Sequence, residues 1–127
     1  MQPAAGGPVA GSRPVPRDLL QGLCDRFGER CTTAPSVRDR HGRDDSPYDT
    51  TPPDCVVFPT TAEEVAEAVR MCARYRVPVI AYGAGTSIEG HILAVEGGVT
   101  VDLSRMNRVL AVDAEDLTAT VEAGVTR

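Results

Sequence analysis

A strand–helix–strand pattern in the middle of the sequence limits the possible folds more than any other feature. Residues Cys55–Phe58 form an unbroken apolar run between two prolines, and Val79–Tyr82 form a second run. Between them, two threonines are followed three residues later by two glutamates, which predicts the capped start of a helix, and Pro78 prevents that helix from continuing. Two apolar strands joined by a helix form a βαβ unit, so we expect parallel strands that are covered on both faces and connected by a right-handed crossover.

The sequence after this unit predicts a different kind of structure. Val99, Val101 and Leu103 alternate with polar residues, which is typical of a strand with one exposed face. Residues 109–112 and 117–123 predict two further strands, and the acidic turn between them indicates an antiparallel hairpin. A parallel βαβ unit followed by antiparallel strands gives an α+β fold.

The residues before the βαβ unit divide into two segments. Residues 1–16 are rich in Pro, Gly and Ala, and we expect a disordered N-terminus there. Residues 17–53 begin with apolar residues at helical spacing up to Phe27, which predicts a helix. They continue as a polar, proline-containing stretch without a regular period, for which we predict an irregular connector. The main domain then extends over residues 54–127.

Charge and composition argue against several functions. The chain has 13 basic and 18 acidic residues, a net charge of −5, no Trp and only two Phe, which argues against nucleic-acid binding. The four cysteines are irregularly spaced, so no metal site is expected. Cys24 and Cys31 can pair in an oxidising compartment, but no signal peptide is recognisable and we expect reduced thiols. No apolar run approaches the ~18 residues of a transmembrane helix.

The functional residues are expected in a glycine turn, Gly83–Ser87 (GAGTS), directly after the second strand of the βαβ unit. Ligands of parallel sheets gather outside the carboxyl ends of the strands. Two glycines allow a ligand to approach the main chain, and successive N–H groups in such a turn form a concave anion site. Since the chain contains no lysine, we expect main-chain amides to hold any phosphate bound here.

Two better-known phosphate loops do not match this turn. A P-loop requires Gly-Lys-Ser/Thr, and a Rossmann turn requires a third glycine where Ile88 stands. Asp102 follows at the distance of a ribose-binding acid, but because the Rossmann pattern fails we predict a role in a strand-end turn. His41 lies in the charged connector and is predicted to be solvated or hydrogen-bonded and not to act as a base, and His91 has no partner at a characteristic spacing. We therefore assign no catalytic residue.

Several motifs between about residue 37 and residue 127 together resemble the FAD-linked oxidase family, whose FAD-binding domain is of the p-cresol methylhydroxylase type. The motifs are PDCVVFP at 53–59, TxxEV at 61–65, GAGTSIEG at 83–90, GGVTVDLSRMN at 97–107 and VEAGVT at 121–126. Within the family, HGRD at 41–44 most resembles the cytochrome-linked D-lactate dehydrogenases, and glycolate oxidase flavoprotein subunits are close to them.

The resemblance implies a cofactor and a reaction. It implies FAD, with its diphosphate bound by Ala81, Tyr82, Gly83, Ala84, Gly85, Thr86 and Ser87. Some branches carry a histidine that bonds covalently to the flavin where Thr86 stands here, so non-covalent FAD is implied. The implied reaction is oxidation of a D-2-hydroxy acid, first of all D-lactate, with electrons passed to cytochrome c or a quinone. A glycolate oxidase flavoprotein subunit and a non-catalytic module of the same fold are the alternatives.

The resemblance covers only the first part of the family's FAD-binding domain. The chain ends just after the family's Ala-Gly-Val-Thr segment, so we expect an N-terminal piece that is inactive alone, with the catalytic residues in the remainder. We also expect a cytoplasmic protein, at most peripheral to a membrane, or a mitochondrial one in a eukaryote.

Overall fold

The computed structural model describes residues 14–126. The helices are α1 Arg17–Phe27, α2 Pro35–His41 and α3 Ala62–Arg74, and the strands are β1 Cys31–Thr32, β2 Cys55–Val57, β3 Val79–Tyr82, β4 Val99–Asp102, β5 Val109–Asp113 and β6 Thr118–Val121. The predicted disordered segment, residues 1–16, lies outside the described residues except for its last three. Among these, Val15 packs against the hydrophobic core.

The main sheet has the strand order β1-β2-β4-β3. β4 pairs in parallel with both β2 and β3, and β1 pairs antiparallel with β2. The two strands of the βαβ unit are therefore parallel, as predicted, but β4 lies between them. All three parallel strands end at the same edge of the sheet, and the glycine turn follows β3 at that edge.

Two predictions about strand burial are wrong. β4, predicted to have one exposed face, is buried on both faces, since Thr100 is 0% and Asp102 is 5% exposed. β3, predicted to be covered, lies at the sheet edge and leaves Val79 38% exposed. Both errors have the same cause: β4 is inserted between β2 and β3, and local alternation of residues does not report the order of strands across a sheet.

Helices α1 and α3 cover one face of the sheet. The hydrophobic core lies between these two helices and the sheet. The core residues are Leu19, Leu23, Phe27, Cys31, Cys55, Val57, Ala68, Cys72, Val99 and Val101. Removing each large apolar side chain from water contributes about 1.5–3 kcal/mol. This layer fixes the positions of β2 and β4, and thereby the edge at which the glycine turn lies.

The start of α3 has the predicted cap. Thr61 Oγ1 accepts a hydrogen bond from the Glu64 main-chain N–H at 3.2 Å. The Glu64 carboxylate accepts one from the Thr60 N–H at 2.8 Å and two from the Arg30 guanidinium at 2.6 and 2.8 Å. The hydrogen bond from Arg30, above all, lowers the pKa of Glu64 to about 2. This cap also joins α3 to the segment that follows α1.

The connector predicted to be irregular contains β1 and α2. Pro35 occupies the first turn of α2, where its fixed φ suits a helix and its missing N–H leaves no bond unmade. A helix of seven residues offers too few apolar positions to show a helical period in the sequence. His41, on α2, contacts Asp102 of β4. Because side chains alternate along a strand, α2 lies on the sheet face opposite α1 and α3.

The predicted hairpin is confirmed. β5 and β6 pair antiparallel in a separate two-stranded sheet. The side chains of Arg108 and Glu122 form an ion pair beside the hairpin, with Nη2 and Oε1 2.7 Å apart. With a parallel βαβ unit, covering helices and an antiparallel ribbon, the chain has the expected α+β architecture.

Candidate functional site

The glycine turn begins where β3 ends at the carboxyl edge of the sheet. The Leu103 main-chain N–H donates to the Tyr82 carbonyl oxygen at 3.0 Å, which fixes the end of β3 to the segment after β4. On the other side of the turn, the Asp45 N–H donates to the Ser87 carbonyl oxygen at 2.8 Å. The turn is thus held at both ends through carbonyl groups, and neither bond uses one of its N–H groups.

The main-chain N–H groups of the turn are free to bind a ligand. Within residues 14–126, none of the N–H groups of residues 83–87 donates a hydrogen bond to another protein group. Unpaired N–H groups cost free energy unless water or a ligand accepts from them. Consecutive N–H groups in a turn carry partial positive charge toward the same region of space, so this turn has the chemistry of an anion site.

One cleft collects most of the predicted site residues. It has a volume of about 330 Å³ and is lined by Ala81, Gly83, Ala84, Gly85, Thr86, Ser87, His91 and Ile92. Six of the seven residues expected to hold the diphosphate therefore lie along one surface. His91 joins them from outside the turn, and its Nδ1 atom lies 2.9 Å from Ser87 Oγ.

Tyr82, the seventh predicted residue, does not line that cleft. In the parallel register it stands beside Asp102, so its side chain lies on the α2 face of the sheet. It lines a different cleft, of about 360 Å³, on the other side of the turn, together with Gly85, Arg40 and Arg43. Burial raises the pKa of the Tyr82 hydroxyl, and the carboxylate of Asp102 raises it further. The hydroxyl is therefore protonated at neutral pH.

The two glycines of the turn have different structural roles. Gly85 has φ +72°, a left-handed conformation that other residues rarely adopt, and a Cβ atom there would collide with the Tyr82 hydroxyl. Gly83 does not have a positive φ, and a Cβ atom there would meet no atom of the described residues within 4 Å beyond its chain neighbours. The fold therefore requires glycine at position 85 but not at position 83. A ligand that lies against the turn would occupy the space that a side chain at position 83 would need.

Of the two alternatives for His41, a solvated or a hydrogen-bonded residue, the structure shows the second. Only 3% of it is exposed. Its Nε2 atom lies 2.7 Å from Asp102 Oδ2, and its Nδ1 atom lies 2.8 Å from the Val37 carbonyl oxygen. Sequence analysis missed this contact because His41 and Asp102 are 61 positions apart.

Asp102 closes the turn that follows β4, as predicted, and it also pairs with His41. Its Oδ1 atom accepts a hydrogen bond from the Ser104 N–H at 2.8 Å. Burial raises the pKa of Asp102, but the hydrogen bonds from His41 and Ser104 outweigh burial, and the pKa lies below its ordinary value. The carboxylate is therefore ionised at neutral pH.

Main-chain amides are not the only source of positive electrostatic potential at the turn. Arg40 of α2 and Arg43, which follows that helix, reach the cleft beside Gly85, so positive side chains lie next to the turn even though the chain has no lysine. Asp44 and Asp45 line the same cleft and offset part of that charge. The sequence around the turn gives no sign of these arginines, because the fold brings them to it from an earlier part of the chain.

Within the described part of the chain, no group of three or more His, Cys, Asp or Glu residues is placed to hold a metal ion. No helix between residues 14 and 126 is both long enough and apolar enough to span a membrane. The two cysteines considered for pairing, Cys24 and Cys31, are free thiols whose sulfur atoms lie 3.5 Å apart.

Known proteins share this sequence pattern. A family model described as FAD binding domain matches residues 53–127. A probable mitochondrial D-lactate dehydrogenase of Danio rerio is 44% identical over 99 residues, which are 78% of this chain and 20% of that protein. The mitochondrial D-lactate dehydrogenase [cytochrome] of Arabidopsis thaliana is 41% identical over 113 residues, covering 87% and 20% of the two chains. Glycolate oxidase subunit GlcD of Bacillus subtilis is 39% identical over 83 residues, covering 61% and 18%.

The fold is also found in solved structures. A structure of p-cresol methylhydroxylase with substrate bound superposes with a TM-score of 0.75 at 24% identity, over 86% of this chain and 22% of that one. This chain spans about one fifth of the length of the curated relatives named above. Since the family model matches more than half of the chain, this chain belongs to the FAD binding domain family, and its fold is that of p-cresol methylhydroxylase.

Proposed function

We propose that the glycine turn binds the diphosphate of FAD without a covalent bond. The observation that carries this proposal is that residues 83–87 line a cleft and that their N–H groups have no acceptor among residues 14–126. Two linked phosphates need several donors at close range, and a turn with glycine at two positions lets the phosphate oxygens reach them. Arg40 and Arg43 would add positive potential from the α2 side.

The proposed non-covalent attachment has its own support. None of the residues from 83 to 87 is a histidine, and the residue that reaches the cleft from outside, His91, has its Nδ1 atom directed at Ser87 Oγ. The site residues in this proposal are therefore Ala81 and Gly83–Ser87 along the cleft, with Tyr82 supporting Gly85 from the other side.

For the complete protein that contains these residues, we propose a D-2-hydroxy-acid dehydrogenase acting on D-lactate. The support is the similarity to two proteins named as D-lactate dehydrogenases, one of them cytochrome-linked. Bound FAD supplies the acceptor for the hydride of the hydroxy acid, and the electrons then pass to cytochrome c or a quinone. The residues described here bind and orient the cofactor, and none of them is assigned to proton transfer from the substrate. A mitochondrial location in a eukaryotic source belongs to the same proposal, because both relatives are named as mitochondrial.

The second candidate is the flavoprotein subunit of a glycolate oxidase. It is favoured by the 39% identity to glycolate oxidase subunit GlcD. Glycolate lacks the methyl group of D-lactate, so the two candidates differ in the size of the substrate pocket and in whether the substrate is chiral. Both use the same FAD site.

One experiment separates these candidates. The complete protein is purified, its flavin content is measured, and it is mixed without oxygen with D-lactate, L-lactate or glycolate. We expect yellow protein that is bleached by D-lactate and not by L-lactate, and that is then reoxidised by cytochrome c or a quinone analogue. Bleaching by glycolate alone supports the second candidate. Protein that holds FAD but is bleached by none of the acids supports a non-catalytic module, and protein without FAD contradicts the proposed site.

A further inference from the structure

We propose that the buried His41–Asp102 pair is a positioning device for the glycine turn, and that breaking it weakens binding of the FAD diphosphate. This inference rests on the proposed FAD site. It concerns residues outside Ala81–Ser87, one of which comes from the connector that precedes the main domain.

Both members of the His41–Asp102 pair are buried, which is unusual for two ionisable side chains. His41 and Asp102 are 3% and 5% exposed, so both groups have lost most of their hydration. A buried ion pair rarely stabilises a protein more than well-packed apolar side chains would, because the cost of desolvation offsets the attraction between the charges. Folding stability alone therefore gives little reason for an ion pair here. Such pairs also fix one arrangement of the groups around them, and that is the role we assign.

Both ring nitrogens of His41 face acceptors. Nδ1 is directed at the Val37 carbonyl oxygen, which can only accept, and Nε2 at the Asp102 carboxylate, which is ionised and can only accept. Both nitrogens are therefore placed to hydrogen-bond, one to α2 and one to β4. Two hydrogen bonds from opposite sides of the ring leave it a single orientation, anchored to α2 on one side and to β4 on the other.

The fixed ring supports the residue that precedes the turn. The ring centroids of His41 and Tyr82 lie 4.3 Å apart, and Phe58 packs edge-on against His41 at 5.8 Å. The Tyr82 hydroxyl in turn occupies the space where a side chain at Gly85 would lie. A continuous series of contacts thus runs from Asp102 through His41 and Tyr82 to Gly85, in the middle of the proposed diphosphate site.

The direction of the amide N–H groups depends on these contacts. If the His41 ring tilts, Tyr82 can shift. Its hydroxyl then no longer packs against the main chain at Gly85. Hydrogen bonds to a phosphate weaken steeply with misalignment, so a small rotation of the turn is expected to lower affinity. In metal sites, removing the groups that orient a ligand residue lowers metal affinity by about 10–100-fold, and we expect an effect at the lower end of that range here.

The test uses the complete flavoprotein and three variants. Asp102→Asn keeps the size of the side chain and removes its charge, and His41→Gln removes the ring. Glu64→Gln is the matched control, because it also breaks a mostly buried ion pair, with Arg30, and has no contact with the turn. Three quantities are measured: the dissociation constant of FAD, the phosphorus-31 NMR spectrum of bound FAD, and the melting temperature of the apoprotein.

We expect Asp102→Asn and His41→Gln to raise the dissociation constant about tenfold and to shift the bound diphosphate resonances toward those of free FAD. Glu64→Gln is expected to lower the melting temperature and to leave the diphosphate resonances in place. Unchanged resonances and affinity in both His41 and Asp102 variants would overturn the inference while leaving the proposed FAD site intact. Failure of the wild-type protein to bind FAD would overturn the proposed site itself.

A double variant covers the case in which the single variants do not fold. His41→Phe with Asp102→Leu replaces the ion pair by apolar groups and leaves no buried charge unpaired. If the pair positions the turn, this variant recovers thermal stability but not FAD affinity. Recovery of both would show that the pair serves the packing of the sheet alone, and would also overturn the inference.

Discussion

The Tyr82 hydroxyl occupies the space that a side chain at Gly85 would need. This contact lies between the last residue of β3 and the middle of the turn that follows it. It packs the main chain of the turn against the end of β3. The two glycines therefore differ: glycine at position 85 is required by the protein's own structure, whereas a Cβ atom at position 83 would meet no other atom of residues 14–126 within 4 Å beyond its chain neighbours.

Gly85→Ala is predicted to destabilise the protein. The substitution places a side chain at φ +72° and against Tyr82, and we expect the free energy of unfolding to fall by about 2 kcal/mol. Urea unfolding of the complete apoprotein measures this. The companion variant Gly85→Ala with Tyr82→Phe removes the hydroxyl and should recover part of the loss. No recovery would show that the backbone conformation, and not the contact, is responsible.

Leu117→Gly is predicted to stabilise the hairpin. Leu117 has φ +55° and is 90% exposed. Its left-handed conformation costs free energy, and the small buried part of its side chain offsets little of that cost. Glycine adopts this conformation without strain, and we expect a gain of about 1 kcal/mol in the free energy of unfolding. Thermal or urea unfolding tests it, with Leu110→Gly on the adjacent strand as the control that should destabilise. A loss of stability in Leu117→Gly would mean that the leucine side chain contributes packing in the complete protein.

The Arg30–Glu64 pair is predicted to stabilise the protein above about pH 4 and to lose its effect in acid. The pKa of Glu64 in the folded protein is about 2, below that of an unfolded chain. Stability from the pair is therefore fully present above the unfolded pKa and is lost as the pH falls through about 2. Arg30→Gln should cost about 2 kcal/mol at neutral pH, and the difference from wild type should shrink toward pH 2. A difference that does not change with pH would contradict this account.

The flavin is predicted to separate from the protein on denaturation. Precipitation of the complete holoprotein with acid should leave all of the FAD in the supernatant, because the turn contains no histidine. The control is a protein with covalently bound flavin treated in the same way. A yellow pellet would contradict non-covalent attachment, and mass spectrometry of its peptides would then show whether His91, the histidine at the cleft, carries the flavin.

Sequence analysis located the glycine turn and the start of α3 because both are set by residues close together in the chain. Thr61 and Glu64 meet within one helical turn, and Gly83–Ser87 follows its strand directly. Motifs in a fixed order identified the family for a related reason, since each motif is a short contiguous segment.

The remaining parts of the site depend on contacts between distant residues. Asp102 came from a strand predicted to be half-exposed and His41 from a connector predicted to be irregular, and only the insertion of β4 beside β3 brings them together. The arginines beside Gly85 were overlooked for the same reason, because they precede the turn by some forty positions in the sequence. Local patterns carry no information on such pairings.

The most direct test of the central claim is the affinity of the complete protein for FAD when Gly83 is replaced by alanine. The added methyl group meets no atom of residues 14–126 within 4 Å beyond its chain neighbours, so we expect the free energy of unfolding of the apoprotein to change by no more than about 0.5 kcal/mol. If the diphosphate lies against this turn, the methyl group blocks its approach, and the dissociation constant of FAD should rise about tenfold or more, equivalent to at least about 1.4 kcal/mol. Wild-type affinity in a stably folded Gly83→Ala protein would contradict the claim that these main-chain amides bind the cofactor.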